Sequence, residues 1–274
     1  DHPIVVATWQ SLQNVPHYMS YFQAVVVDEA HGSKAQVIRK LINDNGKHIS
    51  HRYGVTGTFP KPEADQMTLK VSIGKIHIEI PAAWLIEQGY LSKIDIEPVE
   101  TNDDADLPDY SSEKAFLSSC DERLEAIASL IEQFRDEYGN TMVLVNSVSQ
   151  GRDLQGRIPG SVFLSGESKK DVRKENYAQY ADQDSMIVIA TSGIASTGIS
   201  IDRIFCLILI DAGKSFVKCI QSVGRGLRKK GDKNYIRVVD VYSKLKFSRK
   251  HFKDRKKYYG EAGYPILTAK KLKY

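Results

Sequence analysis

The rest of the chain takes its place from Val25-Val26-Val27-Asp28-Glu29-Ala30-His31. Three β-branched residues in a row predict a short buried strand, and two adjacent carboxylates follow at its carboxyl end. Open α/β sheets bind their ligands at that end. An Asp-Glu pair there suits nucleoside triphosphate chemistry. Asp28 would hold the hydrated Mg²⁺ that bridges the outer phosphates, and Glu29 would orient and deprotonate the attacking water. His31, two residues on, is placed to report the state of the site to neighbouring loops. A plainer reading stays open. Acids favour helix N-termini, so a strand followed by a charged helix start has the same letters.

Working outward, the pattern alternates strand and helix. Ile4-Val5-Val6-Ala7 reads as a short buried strand, and Thr8-Trp9-Gln10-Ser11-Leu12 as the start of a helix. After the carboxylates, Ala35, Ile38, Leu41 and Ile42 recur at helical spacing, and Gly46 stops the helix. Tyr53-Gly54-Val55 then leads into Thr56-Gly57-Thr58, with Pro60 and Pro62 beyond. This rhythm implies a parallel sheet with crossover helices.

A helix is expected over Pro81–Gln88 and a strand over Lys93–Val99. No basic residue lies between Lys93 and Lys114, where there are eight acids. Asp103–Ser112 is polar and holds Pro108, which predicts an exposed connection. A second α/β block follows: a helix through Leu124, Ile127, Ala128, Ile131 and Phe134 closed by Gly139, then strands at Met142–Val145, Val162–Leu164, Met186–Ala190, Phe205–Ile210 and Tyr235–Val241, with a polar helix over about 170–180. The expectation is two α/β lobes facing across a cleft: residues 1–100, an acidic linker 101–119, a second lobe 120–245 and a basic tail 246–274.

Composition narrows the class. At 274 residues, 42% hydrophobic and 26% charged, the chain suits about two folded domains rather than disorder. No apolar run approaches the roughly 18 residues of a membrane span. Cys120, Cys206 and Cys219 are too few and too scattered for a disulfide framework or a zinc site, so a reducing, cytoplasmic setting is expected. Cys206 lies in an apolar run and reads as core. Net charge is +4, unevenly spread: from Lys244 onward there are eleven Lys/Arg against two acids, and before it 27 against 32. A basic tail on an acidic body points to a polyanion, or else to a solvated lysine-rich helix.

Two more segments carry chemistry. Thr191 to Ser200 reads T-S-G-I-A-S-T-G-I-S just past a strand end, where Gly198 lets the backbone approach a phosphate or sugar. A flexible turn has the same composition. In Gln221-Ser222-Val223-Gly224-Arg225-Gly226-Leu227-Arg228, helical spacing puts Arg225 and Arg228 on one face, which suits a phosphate chain.

In this order and separation the segments resemble the superfamily 2 helicases and translocases of DEAH-box type. Asp28-Glu29-Ala30-His31 resembles motif II, Thr56-Gly57-Thr58 motif III, and Thr8-Trp9-Gln10-Ser11-Leu12 the motif Ib region. Val143–Ser147 resembles motif IV, Thr191–Ser200 motif V, and Gln221–Arg228 motif VI. Val5–Gln10, Ser196–Ser200 and the Arg228-Lys229 ending resemble the phage UvsW-type repair and branch-migration helicases. The resemblance implies two RecA-like lobes with parallel sheets, the first incomplete, which bind ATP and Mg²⁺ between them and act on DNA, with RNA not excluded and no membrane involved.

It also implies roles. Asp28 and Glu29 are catalytic, Asp28 the metal ligand; Arg228 is the arginine finger and Arg225 lies on the γ-phosphate. Gln221, Gly198 and His31 lie near the nucleotide. Thr56 and Thr58 couple the ATP site to the nucleic-acid path, while Thr8, Gln10, Ser147 and Thr191 touch that path. Many family members have an Asp at the place of Ser200.

The larger departure is that no Gly-x-x-x-x-Gly-Lys-Ser/Thr loop occurs in the chain, so nothing here cradles the phosphates. In the family that loop precedes motif Ib. The expectation is a truncated motor, inactive alone, or one chain of a split enzyme whose partner brings the loop. A different class also stands: a non-catalytic nucleic-acid-binding module that kept the fold. In the tail, Lys250, Lys253 and Lys257 are expected outward on phosphates, with Phe252 and Tyr259, seven apart, packed inward.

Overall fold

The computed structural model describes residues 4–30, 37, 39–57, 59, 63–166, 183–191, 203–213 and 235–274. The chain divides into two compact units, Asp1–Glu79 and Ile80–Tyr274.

In the first unit, α1 (Trp9–Leu12) and a 3-10 turn (Pro16–Tyr21) lead into β1 (Ala24–Val27). A π-helical segment (Arg39–Asn45) crosses over to β2 (His51–Gly54), and α2 (Glu63–Ser72) follows. β1 and β2 are parallel, with Ala24 opposite His51 and Val27 opposite Gly54. Met19, Leu41 and Ile49 form a small core, with Trp9, Leu12, Phe22 and Val25 against it. The Arg52 guanidinium donates to the carbonyls of Ile49 (2.8 Å), Gly46 and Lys47, to Asn43 Oδ1 (3.0 Å) and to the Ser72 carbonyl. One side chain thus satisfies the open carbonyls beyond the π-helical segment and ties them to α2.

Two expectations fail here. Ile4–Ala7 is an unpaired, exposed segment rather than a buried strand, with Val6 93% exposed. β1 is a strand, but Val26 is 66% exposed, because a two-stranded sheet packed on one face leaves alternate residues uncovered.

The second unit holds a seven-stranded, wholly parallel sheet in the order β5-β6-β4-β7-β8-β3-β9. Its strands are β3 (Lys93–Thr101), β4 (Thr141–Val145), β5 (Val162–Leu164), β6 (Ile187–Thr191), β7 (Cys206–Ile210), β8 (Tyr235–Ser243) and β9 (Lys270–Leu272). Its helices among the described residues are α3 (Ala82–Glu87), α4 (Tyr110–Ser119), α5 (Asp121–Tyr138), α6 (Val148–Arg157) and α7 (Lys246–Glu261), and the polar helix expected over about 170–180 lies outside the described residues.

Central strands of such a sheet are covered on both sides and read as continuous apolar runs. β4 and β7 are buried at every residue. Met142, Leu144, Leu207 and Leu209 enter one core with Tyr259 and Tyr264, whereas Val143, Val145, Cys206, Ile208 and Ile210 enter the other with Ile127, Ile131, Phe134 and Leu154. Each such side chain contributes about 1.5–3 kcal/mol of burial. Burial also pushes the Cys206 thiol up, as core placement requires. Asp121 and Glu122 begin α5, and Gly139, at φ +92°, ends it with its N–H donating to the Arg135 carbonyl at 2.7 Å.

The expected boundaries shift. Lys93–Thr101 pairs with β8 over nine residues, from Lys93 opposite Tyr235 to Thr101 opposite Ser243, so it belongs to the second unit rather than to a lobe ending at residue 100. Ile94, Ile96 and Val99 enter its cores. The stretch 101–119 is not an exposed linker either: Thr101, Asp103 and Glu113 are buried, and residues 110–119 form α4, capped by the Asp109 carboxylate on the Ser112 N–H at 2.8 Å. Residues 246–274 are no loose tail. They form α7, packed on the sheet, and β9, which pairs with Val99–Thr101 of β3.

Candidate functional site

The carboxylates of the first unit stand where β1 ends. Asp28 and Glu29 are exposed and Ala30 is buried. Glu29 adopts φ +47°, a left-handed conformation that costs a non-glycine residue free energy, and its N–H donates to Asp28 Oδ1 at 2.8 Å. Backbone bonds clamp this turn to the segment after β2. The Val55 N–H donates to the Val27 carbonyl at 2.9 Å, and the Ala30 N–H to the Val55 carbonyl at 3.1 Å. A Cβ on Gly54 would lie 2.9 Å from Ile73 Cδ1, so a larger residue there requires the Ile73 side chain to move. The chain therefore brings Asp28 and Glu29 within one residue's bonding of Thr56, which is half-buried. Thr8 caps α1 by accepting from the Ser11 N–H at 3.2 Å, and Gln10 is exposed on that helix. His31 and Thr58 lie outside the described residues.

In the second unit, Ser147 and Thr191 sit at the carboxyl ends of β4 and β6, the edge where parallel sheets bind ligands. Ser147 Oγ caps α6 by accepting from the Gln150 N–H at 3.2 Å. Beside it is a cavity of about 30 Å³ lined by residues that include Tyr110, Glu113, Asn146, Asp211 and His251, with room for a water or two. Gly198, Ser200, Gln221, Arg225 and Arg228 lie outside the described residues.

Around that edge runs a buried charge network that sequence reasoning missed. Arg123, fully buried, meets Asp103 at 3.0 Å and Asp211 at 2.8 Å, and donates to the Leu117 carbonyl at 2.7 Å. Burial acts to raise the Asp103 carboxyl, but Arg123 and the Ser243, Thr101 and Tyr274 hydroxyls outweigh it and hold the carboxyl below its usual range. Asp211 is pushed up by burial, only partly opposed by Arg123. Asp211 is also left-handed at φ +46°, and Asn146 Nδ2 donates to the Ile210 carbonyl at 3.3 Å. Arg255 is likewise buried, donating to both Asp240 oxygens at 2.8 and 2.7 Å and to the Ala212 carbonyl, while the Tyr259 hydroxyl donates to Asp240 at 3.0 Å. A signal was there to read: Arg123 shares a helical stripe with Ile127 and Phe134, and Arg255 with Phe252 and Tyr259.

Comparison with known proteins finds similarity along this architecture. The helicase conserved C-terminal domain family matches residues 122–230. The matched stretch begins in α5 and runs past β7, and the curated relatives that match the chain are helicases, as the resemblance of the motifs implied.

The ATP-dependent DNA helicase uvsW of Enterobacteria phage T4 is 25% identical over 269 residues, which cover 94% of this chain and 53% of that protein. The crystal structure of T4 UvsW matches with a TM-score of 0.57 at 22% identity, over 100% of this chain and 58% of the other. A fragment of a putative HsdR subunit of a type I restriction enzyme from Vibrio vulnificus matches with a TM-score of 0.73 at 16% identity, over 96% and 50%. At such identities the structures establish the fold, which is RecA-like. The chain spans about half the length of the uvsW relative. Among the described residues no helix is long and apolar enough to cross a membrane.

Proposed function

We propose that the chain is the part of an ATP-dependent DNA helicase or translocase that holds the hydrolytic carboxylates and the helicase C-terminal domain, working on duplex or branched DNA in repair or recombination. The observation that carries this reading is the turn after β1. Glu29 is held left-handed, Asp28 caps its N–H, and both are bonded through the backbone to the segment leading to Thr56. Strain of this kind persists where the surroundings over-determine it, and it clusters at active sites.

The turn also fits the group it is expected to meet. Mg²⁺ keeps most of its water and takes one or two carboxylates alongside substrate phosphates, so a single exposed Asp28 at a strand end is a sufficient protein ligand. Bound ATP with its Mg²⁺ supplies the phosphoanhydride bond whose hydrolysis drives the motor. Glu29 takes the proton of the attacking water. Arg225 and Arg228 neutralise charge on the outer phosphates, with Gln221, Gly198 and His31 alongside. Thr56 and Thr58 pass the state of the site to Thr8, Gln10, Ser147 and Thr191 on the DNA path.

The test is DNA-stimulated ATP hydrolysis by the protein isolated from its source. Glu29→Gln keeps shape and hydrogen bonding but removes the base, and a fall of about 10²–10⁴-fold in rate is expected. A rate equal to wild type overturns the reading. DNA binding that survives without any hydrolysis in the wild-type protein assigns the chain to a non-catalytic binding module.

A further inference from the structure

The exposed face of α7 carries a row of charge that the ATP chemistry does not use. Lys246, Arg249, Lys250, Lys253, Lys256 and Lys257 are all exposed, and their helical spacing places them in one stripe. The opposite stripe is fastened to the second unit. The Glu113 carboxylate accepts the N–H groups of Phe247 (3.0 Å) and Ser248 (2.6 Å) at the start of the helix. Phe252 stacks on Tyr242 with ring centroids 3.8 Å apart, and Arg255 and Tyr259 close on Asp240.

The exposed stripe breaks the rules by which a helix stabilises itself. The first turn has no acid and the last turn no base, whereas Lys246 and Arg249 sit near the N-terminus, where the helix dipole disfavours cations. Lys246 and Lys250, Arg249 and Lys253, and Lys253 and Lys257 repel at i,i+4. Of the helix's two acids, Glu261 reaches Lys257 at 3.9 Å. A sequence that keeps such local conflict and holds it with tertiary bonds is answering to something outside the fold.

We propose that this face grips the phosphate backbone of duplex DNA, with or without ATP. From Lys246 to Lys257 the helix rises about 17 Å, and one strand of a duplex presents a phosphate about every 3.4 Å of axis, so the row lies along about five of them. Duplex is favoured over single strand because the stripe has no stacking platform. Phe252 and Tyr259 are buried, and the Phe247 ring meets Tyr110 edge-on at 5.9 Å. Cations on flexible stems read charge and not bases, so the grip is indifferent to sequence.

The test needs no hydrolysis, so its failure is separable from failure of the ATP reading. The 274-residue chain is titrated with a labelled mixed-sequence duplex of about 24 base pairs, without nucleotide, from about 50 to 200 mM salt. The combined variant Lys250→Gln, Lys253→Gln, Lys257→Gln is expected to bind about ten- to a hundredfold more weakly at the lower salt, with a salt slope shallower by about 2–3. Its melting temperature is expected to equal or exceed wild type, since repulsion is relieved, and the Lys→Arg set at the same positions is expected to keep the grip. Unchanged duplex affinity and slope overturn the proposal. A larger loss on a single strand of equal length overturns the assignment to duplex.

Discussion

β1 and β4 have nearly the same composition and opposite surroundings. Ala24-Val25-Val26-Val27 alternates between exposed and half-buried in a two-stranded sheet, whereas Thr141-Met142-Val143-Leu144-Val145 is buried at every residue between β6 and β7. An apolar, largely β-branched run thus specifies a strand, but only its neighbours specify a core. The first unit places its carboxylate turn by backbone bonds and the Arg52 fan, the second its carboxyl edge by packing on both faces of a sheet and by buried ion pairs. Precision in the one is local; in the other it is global.

That contrast makes quantitative demands, the largest at Arg123. Arg123→Ala leaves Asp103 and Asp211 buried without their shared cation, and urea unfolding of the second unit should show a loss of about 3–5 kcal/mol. A loss below about 1 kcal/mol would mean that the network does not hold the carboxyl edge. Gly151→Ala comes next. An added Cβ would overlap the Phe163 ring, so the ring or α6 must move, and overpacking of about 1–3 kcal/mol is expected by the same measurement. Val26→Ser is expected to be the smallest, within about 0.5 kcal/mol, because the side chain already faces solvent. A large loss there would show that β1 is as buried in solution as β4 and erase the distinction.

Much of this was legible in the residues. Every strand expected in the second block is present, because a parallel sheet buries strands on both faces and leaves unbroken apolar runs. The inward turn of Phe252 and Tyr259 followed from their seven-residue spacing. The place of β3 did not, since a strand pattern does not name its partner, and Lys93–Thr101 pairs with residues about 140 positions later. The acids of 101–119 misled for a related reason: charge predicts solvent until a buried arginine answers it, and Arg123 lies on another element. The strand that sets Asp28 and Glu29 at its carboxyl end was evident from the valine run, whereas the left-handed turn at Glu29 has no letter of its own.

The pairing of β3 has a mechanical side. The covalent path from the first unit enters the second through α3 and then β3, which lies between β8 and β9 rather than on the rim of the sheet. Tension arriving along that path meets nine residues in parallel register with β8 and three with β9. Bonds arranged across the line of pull are loaded together in shear instead of parting one by one as in a zipper. The strand that receives the chain from the first unit is therefore stiff against a pull along its own axis.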